Sequence, residues 1–288
     1  IGGGTFNLVG STPAQGVVNF NGGTVWSGST TINGFARQLG DATVSTPTTI
    51  NATVLDMDGS NNVAWTINHA LTVNTQAIEL GSQQFDGTFN MNAGAVGRLT
   101  LNLSDPNASW TMNGTMNLAG LGILTTTRVA GSRMIVIGDL NMGAGIAQVT
   151  ADTALQGAHV SINAAGTLRM RGLTTVDSGT HFSGTGVFHN GIDGIMVLDS
   201  GTALSDVGLL NSGILRVGGD GPGVAGMDRV SFAADSIWEV GIGGYAALQS
   251  DRLLVTGVSG ASLGGVLSVS LVDLGIGFLP QVGDQFLI

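Results

Sequence analysis

Side chains able to do acid–base or ligand chemistry are sparse in this 288-residue chain: four His, nine basic residues that are all Arg, and no Cys. The densest cluster is Arg169, Arg171, Asp177, His181, His189 and Asp193. A histidine offers a base or a ligand near neutral pH, and two on adjacent strands can share a metal. His181 and His189 lie eight apart with Gly184 and Gly186 between them, so the spacing allows them to face each other on successive strands. No third ligand stands at a defining distance, and a structural role is the expectation for this cluster.

A second candidate is "DMDGSNN", where Asp56, Asp58 and Asn61 surround Gly59 and resemble an oxygen-ligand loop for calcium. Ile67 stands where the twelfth-position bidentate Glu belongs, so a turn capped by Asp and Asn side chains is favoured and calcium stays a weak candidate. Polysaccharide cleavage needs paired carboxylates or a Lys/Arg base on one exposed sheet, and Lys is absent. Glu79 and Glu239 are far apart, and single Asp residues fall in turns such as "LSDPN", "VLDSG" and "VGDQ". Nucleophile-elbow, zinc-helix, P-loop and dinucleotide motifs are absent from any credible strand–helix setting. The chain is therefore expected to be no enzyme, with no catalytic residue and no cofactor.

What must hold these residues is a set of short strands. In "VAWTINHALTVN", Trp65, Ile67, Leu71 and Val73 keep one phase while Thr66, Asn68, Thr72 and Asn74 keep the other, with His69 on the apolar side. "NASWTMNGTMNL" repeats this with Trp110, Met112, Met116 and Leu118, and Gly114 replaces His69. A looser copy begins at Thr24 with Trp26. The phasing predicts the same strand in successive coils, with the tryptophans stacked inside instead of serving as sugar platforms. His69 is the exception that asks for a local explanation.

Such irregular repeats of strand and polar turn, without helix signals, predict an all-β parallel β-helix with about two coils of roughly twenty residues per tryptophan interval. Residues 1–221 read as coils. After "GGDGPGVAG" the strands lengthen, and residues 222–288 read as a C-terminal β cap or assembly region. The apolar window from Leu253 to Leu279 is long enough to span a bilayer, but Leu267, Val269 and Leu271 alternate with Ser268 and Ser270, which is a strand period.

Charged residues make up only 10% of the chain, 48 residues are Gly, and the net charge is −10. The surface is thus expected to be Ser, Thr, Asn and Gly. With no basic run, nucleic acid and anionic membranes are excluded as direct partners. Ile1 in place of Met suggests a processed chain or a fragment.

The text "GTGVFHNGIDGIMVLDSGTALSDVGLLNSGILRVGG", followed by "SIWEVGIGG", "DRLLVTG", "LGGVLSVSL" and "FLPQVGDQFLI", resembles the C-terminal part of large bacterial β-solenoid exoproteins. These are similar in style to autotransporter passengers and PEP-CTERM-type proteins. The resemblance implies a right-handed parallel β-helix, an extracellular or cell-surface location, and a structural or adhesive role. The expected partners are other copies, joined through the solenoid ends, and a surface glycan. The competing expectation is a carbohydrate-binding or polysaccharide-cleaving β-helix.

Overall fold

The structure is a computed structural model that describes residues 2–7, 17–21, 23–57, 64–67, 70–77, 84–85, 88–91, 98–103, 109–112, 115–120, 123–127, 133–150, 152–219, 221–246, 248–258 and 260–288. Among these residues it is all β, with no helix, and its ladders are parallel. The fold is a β-solenoid. The chain divides into two compact units, Ile1–Asp152 and Thr153–Ile288.

In the first unit the strands stack in three columns. One runs through residues 24–26, 42–44, 65–67, 89–91, 116–118 and 140–142. A second runs through 28–32, 48–52, 71–75, 98–103 and 123–127. The third position in the coil is held by 17–20, 35–38 and 54–56 in the same sheet and, further along, by 84–85, 109–112 and 133–136 in a second sheet. Alternation of side chains gives each column one apolar face: along Asp139–Val149, Leu140, Met142, Ala147 and Val149 are buried while their neighbours are not. Outward Thr and Asn residues bond from coil to coil, with Asn141 Nδ2 donating to Asn117 Oδ1 at 3.0 Å and Asn51 Nδ2 to Thr31 Oγ1 at 3.4 Å. A surface poor in charge thereby satisfies its own polar groups along the ladder.

The tryptophan echo turns out differently from the sequence expectation. Trp26 and Trp65 share a column two coils apart, both fully buried, with stacked rings at 6.3 Å and 21°. Trp26 donates to Gln38 Oε1 and Trp65 to the Met57 carbonyl, so neither indole N–H is wasted. Trp110 belongs to another column. Trp65 pairs in register with Ala42 and Phe89, whereas Trp110 pairs with Met134, and it is Met116 that follows Phe89. The two phrases are not the same strand in two coils; each lays one strand on either side of a corner, and the corners differ. The reason is arithmetic: two coils from Trp65 end at Met116, and a tryptophan 45 residues on arrives one face early. The Trp110 side chain and His69 lie outside the described residues.

The second unit repeats the three-column plan. Its first column holds His159–Ile162, His181–Ser183, residues 203–204, residues 224–227 and Arg252–Val255. The next holds Gly166–Met170, Val187–Asn190, residues 208–211, residues 229–232 and Ala261–Ser262. The last is Thr153–Leu155, Leu173–Val176, Ile195–Leu198, Ile214–Val217, Ile237–Ile242 and Val266–Leu271. Leu168, Phe188, Leu209 and Val230 form one buried row through the middle. The strands within residues 222–271 continue the parallel columns, with one shift of register against residues 203–211, and residues 272–288 carry no strand. The apolar window from Leu253 to Leu279 is short strands and turns. No helix among the described residues is long and apolar enough to cross a membrane.

Candidate functional site

The histidines separate by column. His181 pairs in register with His159, both exposed, with ring centroids 5.6 Å apart. His189 pairs with Arg169. The meeting of His181 with His189 that the spacing allowed does not occur, because the two lie in different columns of one coil. Asp177 serves a turn: its carboxylate accepts from the Gly157 amide at 3.0 Å and from Thr180 Oγ1 at 2.8 Å.

Around His189 the outer surface is concave. A cavity of about 370 Å³ is lined by Arg169, Arg171, His189, Gly191, Ile192, Ser212, Ala233 and Asp235. Arg169 Nε donates to His189 Nδ1 at 3.0 Å. That bond leaves the imidazole proton on Nε2, which faces Ser212 Oγ at 3.0 Å. Burial and then the neighbouring Arg169 charge lower the His189 pKa from 6.5 to about 4, so the ring is neutral at pH 7. A Ser–His pair of this tautomer is not a nucleophile with its base, since the nitrogen facing the hydroxyl already carries a proton. The trio is instead a set of fixed donors. Arg171 is ion-paired with Asp193 at the rim.

Gly191 shapes the floor. A Cβ there would stand 2.9 Å from Arg171 Cγ and 3.4 Å from Arg169 Cγ, so the absent side chain lets two arginine stems pack across one position. Ser212, Gly191, Ile192 and Asp235 were not singled out by their sequence. Their signal was the coil length: Arg169, His189 and Ser212 follow one another at intervals of 20 and 23 residues.

Three other acids serve structural bonds. Asp251 is buried, which raises its pKa, while the Gly241 and Gly223 amides donate to its two oxygens at 2.6 and 2.8 Å and pull the other way. Glu239 accepts from Arg216 Nε at 2.6 Å on the same side of the unit. Asp56, the first of the calcium candidates, accepts from Arg37 Nε at 2.7 Å. Asp58 and Asn61 lie outside the described residues.

A second feature is apolar. Val266–Leu271 is the last rung of its column, paired only along one edge among the described residues. Leu267, Val269 and Leu271 stand in register with Trp238, Val240 and Ile242. Val240 and Ile242 are 1% and 6% exposed, whereas Leu267, Val269 and Leu271 are 48%, 52% and 59% exposed. Two of these positions are core one coil earlier and are left uncovered on the last rung. Nearby, Tyr245, Phe278 and Phe286 cluster, and Tyr245 Oη donates to Asp284 at 2.5 Å, joining the 272–288 tail to the loop before Ser250.

No protein-family model matches this chain, and no curated protein or solved structure matches it.

Proposed function

We propose that this protein is a non-enzymatic structural or adhesive β-solenoid of an extracellular or cell-surface layer, and that it associates end to end with copies of itself. One observation carries this reading: the last rung presents half-exposed Leu267, Val269 and Leu271 beside an unpaired strand edge. An open edge next to an apolar strip is a template for another parallel strand. A second copy of this solenoid supplies one of matching rise, since its ladders are parallel throughout the described coils. The low charge of the rest of the surface and the resemblance of residues 184–288 to exported solenoids support the location. The engagement of Glu239, Asp251 and His189 in structural bonds supports the absence of catalysis.

Sedimentation velocity across a hundredfold concentration range tests the assembly, alongside electron microscopy. The wild-type chain is expected to form concentration-dependent rods or filaments. Val269→Asp, which sets a charge in the strip, is expected to stay monomeric with an unchanged far-UV spectrum. A wild-type chain that remains monomeric at the highest concentration, or a Val269→Asp chain that assembles equally well, sinks the proposal.

A carbohydrate-binding solenoid is the second reading. It is favoured by the cavity beside Arg169 and not by the tryptophans, since Trp26 and Trp65 are inside.

A further inference from the structure

We propose that the cavity formed by Arg169, His189, Ser212 and Ile192 is a carboxylate-binding site whose occupant is a uronate unit of an acidic polysaccharide. This deepens the carbohydrate-binding reading and is independent of end-to-end assembly.

The argument begins with how the described arginines are used. Arg37, Arg171 and Arg216 are each paired with a carboxylate, and Arg229 donates to the Thr185 and Gly186 carbonyls. Arg252 has a buried Nε without a partner. Arg169 is used in another way: its Nε is held by a neutral imidazole, and its two terminal amino groups have no hydrogen-bond partner among the described residues. An arginine fixed through Nε on the lining of a cavity keeps its two Nη groups for a bidentate carboxylate. Orientation by a neutral ring leaves the full guanidinium charge for the ligand. Burial of His189 is what keeps that ring neutral, and with it the proton that faces Ser212.

The rest of the cavity suits a sugar better than a bare anion. Its volume of about 370 Å³ falls in the range of small-ligand pockets and far exceeds one carboxylate. Ile192, 65% exposed, offers an apolar wall to the C–H face of a pyranose. Ser212 Oγ can exchange hydrogen bonds with ring hydroxyls, and Asp235 on the lining accepts from them. Asp193 is neutralised by Arg171, so the carboxylate meets one unmatched positive group and one acid, Asp235. With the whole chain at −10, attraction is short-ranged and the single site is weak.

Calorimetric titration of the full chain with trigalacturonate, galacturonate, galactotriose and acetate is the test, run in the Val269→Asp background so that assembly does not interfere. Trigalacturonate is expected to bind, galacturonate more weakly, and galactotriose not at all. Arg169→Ala is expected to weaken trigalacturonate at least tenfold with an unchanged melting temperature. Should that variant fail to fold, Arg169→Lys keeps the stem and the charge, and it is expected to lose affinity because an ammonium cannot form the fork. In the His189 ring NMR signals, a shift on adding trigalacturonate is expected in the wild-type site and not in Arg169→Lys. No binding by the wild-type site, equal binding by Arg169→Ala, or acetate binding as tightly as trigalacturonate overturns the assignment. None of these results bears on whether copies associate through the last rung.

Discussion

His189 shows how one buried ring ties stability to acid. Its pKa in the folded chain, about 4, lies below the ordinary 6.5, so between these values the unfolded chain binds the proton more readily than the folded one. Stability is therefore full above pH 6.5 and falls as pH drops towards 4. Urea melts at pH 7 and pH 4.5 are expected to show this loss, and His189→Gln to reduce it; equal pH slopes in the two proteins would refute the assignment. The cluster around this residue was visible in the sequence as a crowd of titratable side chains. Its pairings were not, because the distance from His189 to Arg169 depends on the length of a coil and not on local spacing. Reading His181 and His189 as neighbours assumed that strands adjacent in sequence are adjacent in a ladder, which a three-column coil forbids.

At the level of the element, strands were legible and corners were not. Alternation of apolar with Thr, Asn and Ser marks each strand directly, as in Trp65-Thr66-Ile67 or Leu267-Ser268-Val269. A corner depends on which backbone lies beneath it. Behind the strand Val187–Asn190 an inward asparagine, Asn190, donates to Asn211 Oδ1 at 2.7 Å and to the Ile214 carbonyl at 2.8 Å. Asn211 in turn donates to the Gly213 and Ile237 carbonyls. These buried amides satisfy carbonyls that the turn would otherwise strand. Room for them comes from glycine: a Cβ on Gly213 would stand 2.2 Å from the Gly194 carbonyl oxygen, and one on Gly194 would stand 2.3 Å from Asn190 Oδ1. Gly213→Ala is therefore expected to destabilise the chain by about 2 kcal/mol in urea unfolding, the range for forced overpacking. A variant within 0.5 kcal/mol of wild type would mean that this corner yields more easily than its contacts indicate.

At the scale of the whole chain, the repeat varies in length from coil to coil. In the column that runs from Thr153–Leu155 to Val266–Leu271, successive partners are separated by 21, 22, 19, 23 and 29 residues, the surplus being carried by the turns. Because neighbouring coils touch mainly each other, stability in such a stack is close to a sum of nearest-neighbour contacts. Held at its two ends in an optical trap, the second unit then yields as a series of unequal releases. A coil of 19 residues frees about 65 Å of contour and one of 29 residues about 100 Å, at roughly 3.5 Å per residue. The step sizes act as a ruler written into the turns, and the order in which they occur names the end from which the stack is peeled. A single release of the entire length would show that the coils let go together and that this ruler is not read under load.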